Sequence, residues 1–447
     1  MITSNINFKQ LEDRIDAEYY KPEYLGIEKR LNNSSNVFYL RDLVEAIQHP
    51  REFKREYSSS DRGIPYLRVS NVKDGYIDKS DIEYVNLENN IGLNRIYEGN
   101  ILITRSGTVG IPVLVTDEYD GMLISADFLK VVLKTEIKNV TINPYYIYTF
   151  LSSRFGRLQE ERKLIGALQK HIDTQGLSSI RIFIPPQLFQ LQIEKMVKEA
   201  EEKRKLAEEK YKEAEEVLNK ELGIEDLDLS TQKTFETKFS EIDRLDPEQY
   251  QPKYKVILDH LNKIQHTEIN KIAMFNQRGV QPEYTNRVTG YMALTSKCIG
   301  KKYIDYDSMP NITEDFYYSS KEAKLTNGDM VIYTTGAYVG NTQAITGDIN
   351  AIASNHVNIL RVKDFDPVFL SFYFNSIPGQ LQIKKLVSGA AQAELYPRDI
   401  EKIIVPKIST STQQKISKLI QESFCFRKES KKLINDAKRK VEEMIEK

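Results

Sequence analysis

The chain has 447 residues, enough for two or three domains each with its own core. Its 63 Lys and Arg against 64 Asp and Glu leave a net charge of −1, so nucleic-acid contact must come from local patches and not from bulk charge. Two cysteines, Cys298 and Cys425, exclude a disulfide framework and a paired thiolate metal site; with no long apolar run and a polar start at residues 1–10, the sequence reads as soluble, cytoplasmic and without a membrane segment.

In chain order, the first feature is an arm, Arg14-Ile15-Asp16-Ala17-Glu18-Tyr19-Tyr20-Lys21-Pro22-Glu23-Tyr24, which returns as Arg244-Leu245-Asp246-Pro247-Glu248-Gln249-Tyr250-Gln251-Pro252-Lys253-Tyr254. Ile64-Pro65-Tyr66-Leu67-Arg68-Val69-Ser70 predicts a strand followed by Asp74-Gly75, and residues 290–295 are its weaker counterpart. Gly99-Asn100-Ile101-Leu102-Ile103-Thr104-Arg105-Ser106-Gly107-Thr108-Val109-Gly110 predicts a turn, a buried strand and a tight glycine loop, and residues 328–340 repeat it. Further strands are predicted at 122–133 and 351–362. Asn143-Pro144 and Asp366-Pro367 predict helix starts, an Asx cap before a first-turn proline. Gly156-Arg157-Leu158-Gln159 and Gly166-Ala167 recur 223 residues later at Gly379-Gln380-Leu381-Gln382 and Gly389-Ala390.

Two stretches then show heptad spacing. Ile193, Val197, Ala200, Arg204, Ala207, Tyr211, Ala214 and Leu218 form one seam; Ile416, Ile420, Ser423, Arg427, Ser430, Ile434, Ala437 and Val441 form the other, at the same offset of 223. The remaining positions are mostly Glu and Lys. An antiparallel pairing sets large residues against small ones, Ile193 facing Val441, Val197 facing Ala437, Tyr211 facing Ser423 and Ala214 facing Ile420. In that register each seam arginine faces a small residue and is expected to extend its stem to water. The organisation that follows is α+β, with two tandem mixed α/β domains separated by two long helices that form an intramolecular antiparallel coiled coil with pseudo-twofold symmetry. Domain one spans 1–186, the central helix 187–222, a linker 223–233, domain two 234–408 and the C-terminal helix 409–447.

For chemistry the sequence offers little. Asn143-Pro144-Tyr145-Tyr146 resembles the Asn-Pro-Pro-Tyr loop of adenine methyltransferases but lacks the second proline and has no glycine-rich cofactor loop upstream, which favours a helix cap. The five histidines (His49, His171, His260, His266, His356) fall in no triad or metal-ligand spacing. Side chains suited to base edges cluster around the first strand of one copy and in the loop before the strand of the other. They are Arg51, Lys54, Arg55, Arg62, Arg68 and Asn71 in one, and Gln277, Arg278, Gln281, Asn286 and Arg287 in the other. The glycine loops, flanked by Arg105, Thr108 and Asn341, read equally as plain turns or as contact loops. Arg154, Arg157, Arg162 and Lys163 read equally as phosphate contacts or as a helix end.

The glycine loop at 99–110, the strand at 65–71 with Asp74-Gly75, and Ile184-Pro185-Pro186 entering the long helix together resemble the specificity subunit of type I restriction-modification systems, over essentially the whole chain. The second copy departs from the pattern with Ala337-Tyr338 for Thr108-Val109 and Lys407 after Pro406. The resemblance implies a non-catalytic subunit whose two target-recognition domains each read half of a bipartite double-stranded DNA site, while the helices fix the gap. Two methyltransferase subunits and two motor-nuclease subunits would be its partners, and S-adenosylmethionine, ATP and magnesium would sit on those partners, with no cofactor here. A non-enzymatic coiled-coil scaffold whose twin domains bind protein is the alternative.

Overall fold

The computed structural model describes residues 6, 11, 14–32, 34, 36–73, 75–86, 92–166, 170–238, 240, 242, 246–389 and 392–447. Asp74, Ala167, Arg244, Leu245 and Ala390, named in the motifs above, lie outside them. The chain forms two compact units. One comprises residues 1–203 with 428–447, and the other residues 204–427.

In the first unit, an antiparallel sheet runs in the order Val44–Gln48, Phe128–Leu133, Ile101–Thr104, Pro112–Leu114. The apolar run Ile101-Leu102-Ile103 is buried on both faces, which is why it reads as continuous rather than alternating. A parallel pair, Ile64–Leu67 beside Leu123–Ile124, belongs to a second sheet. Asn143 caps the helix Pro144–Ser152 through its side chain, which accepts from the amides of Tyr145 and Tyr146 at 2.9 and 3.2 Å. The Asn-Pro-Tyr-Tyr motif is a cap. The chain turns at once into Arg154–Arg162, and a β-carbon on Gly156 would fall 2.4 Å from the Leu151 backbone, so only glycine allows the junction.

The second unit repeats the plan. Its main sheet runs Ala273–Arg278, Val357–Val362, Met330–Tyr333, Thr342–Ala344. Met292–Leu294 lies parallel to Ala351–Ala353. Asp366 caps Pro367–Asn375 as Asn143 does its helix, and Gly379 occupies the same tight junction.

The two long helices, Gln187–Leu222 and Thr410–Glu446, each contribute to both units. In the first unit, Ile193, Val197, Ala437 and Val441 join one apolar cluster, and Ser430 Oγ donates to the Ala200 carbonyl at 2.7 Å. Lys203 pairs with Glu429 at 2.7 Å. In the second, Tyr211, Ala214, Leu218, Ile416 and Ile420 share a cluster, and Ser423 Oγ donates to the Ala207 carbonyl at 2.7 Å. A seam serine thus supplies a helix-to-helix hydrogen bond in each unit. The expected route of the seam arginines to water does not hold. Arg204 is 8% exposed, and the Arg427 side chain, 10% exposed, ends on the Glu208 carboxylate at 2.5 Å. Glu208 stands one residue beyond Ala207, close enough to intercept the guanidinium before it clears the seam.

Candidate nucleic-acid interface

Strand register decides where the candidate residues collect. In the first unit Gln48 lies opposite Lys130 and Thr104 opposite Phe128, so the ends of 44–48 and 101–104 and the start of 128–133 share one end of the sheet. Two loops leave from that end, 49–63 and 105–110. Their roots are pinned by hydrogen bonds. Buried Asn94 accepts from the Arg51 amide at 3.2 Å and donates to the carbonyls of Arg51 at 2.9 Å and Ile124 at 3.0 Å. His49 Nε2 is 2.9 Å from the Ala126 carbonyl oxygen. The Arg105 amide donates to the Asp127 carbonyl at 2.7 Å, and the Ser106 hydroxyl donates to the Asp127 carboxylate. A β-carbon on Gly107 would lie 3.7 Å from Val69, which brings the turn after Leu67 to the same place.

With the roots fixed, the side chains of Arg51, Lys54, Arg55 and Arg62 project into solvent, as does Thr108, and Arg105 is half-buried. Arg55 lies over the Tyr66 ring at 5.9 Å. Lys54 and Arg62 have exposed partners, Glu56 at 3.2 Å and Asp61 at 3.4 Å, pairs weak enough to be exchanged for phosphate. The backbone amides of 106–109 have no acceptor among the described residues, which leaves a short row of donors on the glycine loop. Arg51, Arg55, Arg62, Arg105 and Thr108 therefore belong to one surface.

Arg68 and Asn71 do not join it. The Arg68 guanidinium donates to Glu83 at 2.8 Å and to the Asp81 carbonyl at 3.1 Å. Asn71 is buried; its amide accepts from the Arg68 backbone at 2.9 Å and donates to the Asp81 carbonyl at 3.0 Å. Both build the turn. Arg157 and Arg162 turn inward, pairing with Glu160 at 3.2 Å and Glu28 at 2.9 Å, while Arg154 stays exposed with Glu446 at 2.5 Å.

In the second unit the same end of the sheet gathers Arg278, which lies opposite Asn358, and Tyr333, opposite Val357. Gln277 is exposed with no side-chain hydrogen bond among the described residues, and Arg287 projects from a loop whose Thr285 hydroxyl accepts from the Arg287 amide at 3.2 Å. Arg278 turns inward, donating to Glu394 at 2.8 Å and to the Leu395 carbonyl at 2.9 Å. Hydrogen bonds from Tyr396 and Arg278 hold the Glu394 carboxyl below its usual range. That clamp fixes the segment beside the second glycine loop, where the Gly336 amide donates to the Ala393 carbonyl at 3.0 Å. Asn341 is likewise internal, its amide donating to the Ile299 carbonyl at 3.3 Å. Arg278 and Asn341 shape the loop from behind.

Sequence reasoning missed a cluster here. Tyr291 and Tyr317 stack with centroids 4.7 Å apart, Tyr318 meets Tyr317 edge-on at 5.3 Å, and the Lys324 ammonium sits 4.3 and 4.6 Å from the Tyr317 and Tyr318 ring centroids. Tyr318 is 54% exposed, an aromatic face of the kind that bases stack on. The run Phe316-Tyr317-Tyr318 was the signal. Among the described residues no cluster of three or more His, Cys, Asp or Glu is placed to hold a metal, and no helix is long and apolar enough to cross a membrane.

Residues 32–216 match the family model of the type I restriction modification DNA specificity domain. The specificity subunit of the type I restriction enzyme MjaVIII of Methanocaldococcus jannaschii is 23% identical over 393 residues, covering 85% of this chain and 84% of its own. Among solved structures, the S subunit of a type I restriction-modification system from M. genitalium aligns at 12% identity over 92% of this chain and 94% of its own, with a TM-score of 0.43. The HsdS subunit from Thermoanaerobacter tengcongensis aligns at 15% identity over 92% and 95%, with a TM-score of 0.30. Residues 32–216, which hold the first glycine loop and its sheet, are thus similar to the type I restriction modification DNA specificity domain, and the chain as a whole is similar to type I specificity subunits.

Proposed function

We propose that each unit reads one half of a bipartite double-stranded DNA target, and that the two long helices set the unread gap between the halves. One observation carries this reading. In both units a sheet end presents a glycine loop beside a polar loop, with the roots alike and the exposed side chains different (Arg51, Arg55 and Arg62 in one, Gln277 and Arg287 in the other). Exposed Arg and Gln with pinned backbones suit base edges in the major groove, and the free amides of 106–109 suit phosphate. The chain acts in the cytoplasm without chemistry of its own. Methyltransferase subunits dock on its helical regions and bring S-adenosylmethionine, and motor-nuclease subunits bring ATP and magnesium.

The test is to insert four residues in each helix, near Ala207 and Ser430. That adds about 6 Å at 1.5 Å per residue, against about 3.4 Å per base pair of DNA. Selection of bound sites from randomised spacers, with the methyltransferase subunits present, should return both half-sequences unchanged and a gap longer by one or two base pairs. An unchanged gap would remove the helices from the mechanism.

A further inference from the structure

The first unit contains a cleft of about 280 Å3 that includes none of the loop residues of the interface above. Its walls are the helix Pro22–Asn32, the segment after Val37–Tyr39, the end of Arg154–Arg162 and the start of Arg181–Phe183. Four cations line it, Arg41, Arg162, Lys163 and Arg181, against one lining carboxylate, Glu28. Glu28 serves two of them, Arg162 at 2.9 Å and Arg181 at 3.0 Å, whose side chains are only 7% and 16% exposed. Arg41 lies over the Tyr39 ring at 4.0 Å and has no hydrogen bond or ion pair from its guanidinium among the described residues. Surplus positive charge gathered in a half-closed space is costly unless something negative enters it.

The duplication supplies an internal control. Gln159 clasps the backbone of Arg181 with two hydrogen bonds of 2.9 Å, and Gln382 clasps Ile404 in the same way at 2.8 and 3.1 Å. Ile404 is therefore the counterpart of Arg181. By the same repeat, Leu258 stands for Glu28 and Leu386 for Lys163, while the strand pairing Tyr39 to Arg181 and Glu268 to Ile404 makes Asn270 the counterpart of Arg41. In the second unit Leu258, Leu386 and Ile404 pack against the apolar core. The second unit keeps a cation, Lys385, in the place of Arg162 and has Asn270 for Arg41, but it builds the other three positions with aliphatic side chains, so the fold does not require charge at Glu28, Lys163 and Arg181.

We propose that this cleft binds a small polyvalent organic anion, of mononucleotide size or less, whose phosphate or carboxylate groups are taken by Arg41 in the field of Arg162, Lys163 and Arg181, the last held by Asn32 and Glu28. Guanidinium forks take such oxyanions in pairs, and the rings of Tyr24 and Tyr39 flank the space left for a flat or aliphatic body. The volume sits at the low end of small-molecule sites.

The experiment is calorimetric titration of the full chain with pyrophosphate, AMP and citrate, at ionic strength fixed with sodium chloride. Saturable binding of at least one probe is expected. Pyrophosphate and AMP without citrate assign a phosphate ligand, and citrate alone assigns a carboxylate. Two variants then locate the site. Arg41→Ala alters an exposed residue with no hydrogen bond to lose, and Arg41→Asn with Lys163→Leu removes two cations and installs the second unit's residues at those positions. Each should raise Kd tenfold or more; if the double variant does not fold, Arg41→Ala alone decides. No saturable heat with any probe up to about 1 mM, or a Kd unchanged by the variants, overturns the proposal.

Discussion

Glu208 offers the sharpest test of how the second unit is held together. Its carboxylate receives Arg427 from the other long helix at 2.5 Å and Lys302 from a loop of the globular part at 2.6 Å. Replacing it by Gln preserves shape and removes the charge, leaving two cations whose side chains are 10% and 18% exposed. Breaking a fully buried pair costs about 3–5 kcal/mol and an exposed one about 0–1. Glu208 is itself 34% exposed, so Glu208→Gln should cost about 2 kcal/mol, with most of that absent when Arg427→Gln is already in place. The readout is urea unfolding followed by far-ultraviolet circular dichroism, as a double-mutant cycle across pH. Burial alone would raise the Glu208 carboxyl, but Arg427 and Lys302 together hold it below its ordinary 4.5. A carboxyl depressed in the folded state contributes stability above its unfolded pKa and loses it as pH falls through the folded value. Wild type and Glu208→Gln should therefore differ at pH 6 to 7 and converge as pH falls below the folded-state value of Glu208. Additive single effects below about 0.5 kcal/mol, or a gap between the two proteins that persists at low pH, would refute the reasoning.

Gly156→Ala forces a β-carbon to 2.4 Å from the Leu151 backbone and should cost more than about 3 kcal/mol. Gly26→Ala, in a helix with nothing within 4 Å, should be neutral or stabilising by up to about 1 kcal/mol; thermal melts of both decide. Glu160 is fully buried, and burial pushes its carboxyl well above the usual range despite Arg157. A raised carboxyl favours the fold at low pH and loses that as pH rises, so Glu160→Gln should raise the melting temperature at pH 8 and leave it unchanged at pH 4. Arg62→Ala should weaken binding to one half-site by about 1–3 kcal/mol if it reads a base, against a uniform loss on all sequences if it meets phosphate; competition binding with single-base variants distinguishes these.

The heptad rows and the Asx-Pro caps were legible because spacing along one helix, or three residues of one turn, contains the whole cause. The inward pairing of Arg68 and Arg278 was not legible, for the opposite reason. Their type suits a base edge, but their partners Glu83 and Glu394 lie 15 and 116 residues away, and nothing local announces them. Asn71 was an intermediate case: its acceptor bond runs to the Arg68 amide only three residues back, so a turn reading would have claimed it. The seam arginines fail more instructively. Heptad spacing sets each seam arginine across from a small residue but says nothing of Glu208, one position off the seam, whose carboxylate takes Arg427.

The way the long helices are shared has a consequence for synthesis. Residues 204–427 are contiguous, so a ribosome delivers everything the second unit needs in one run. The first unit, begun hundreds of residues earlier, waits for 428–447, because Ala437 and Val441 complete its apolar cluster and Glu442 accepts from the Arg154 amide at 2.7 Å. Until then Ile193 and Val197 have no covering for one side. A nascent chain thus carries a nearly finished first unit with an open seam past a second unit that can close before it. A premature stop near the 3′ end of the message would injure the part of the protein that was made first.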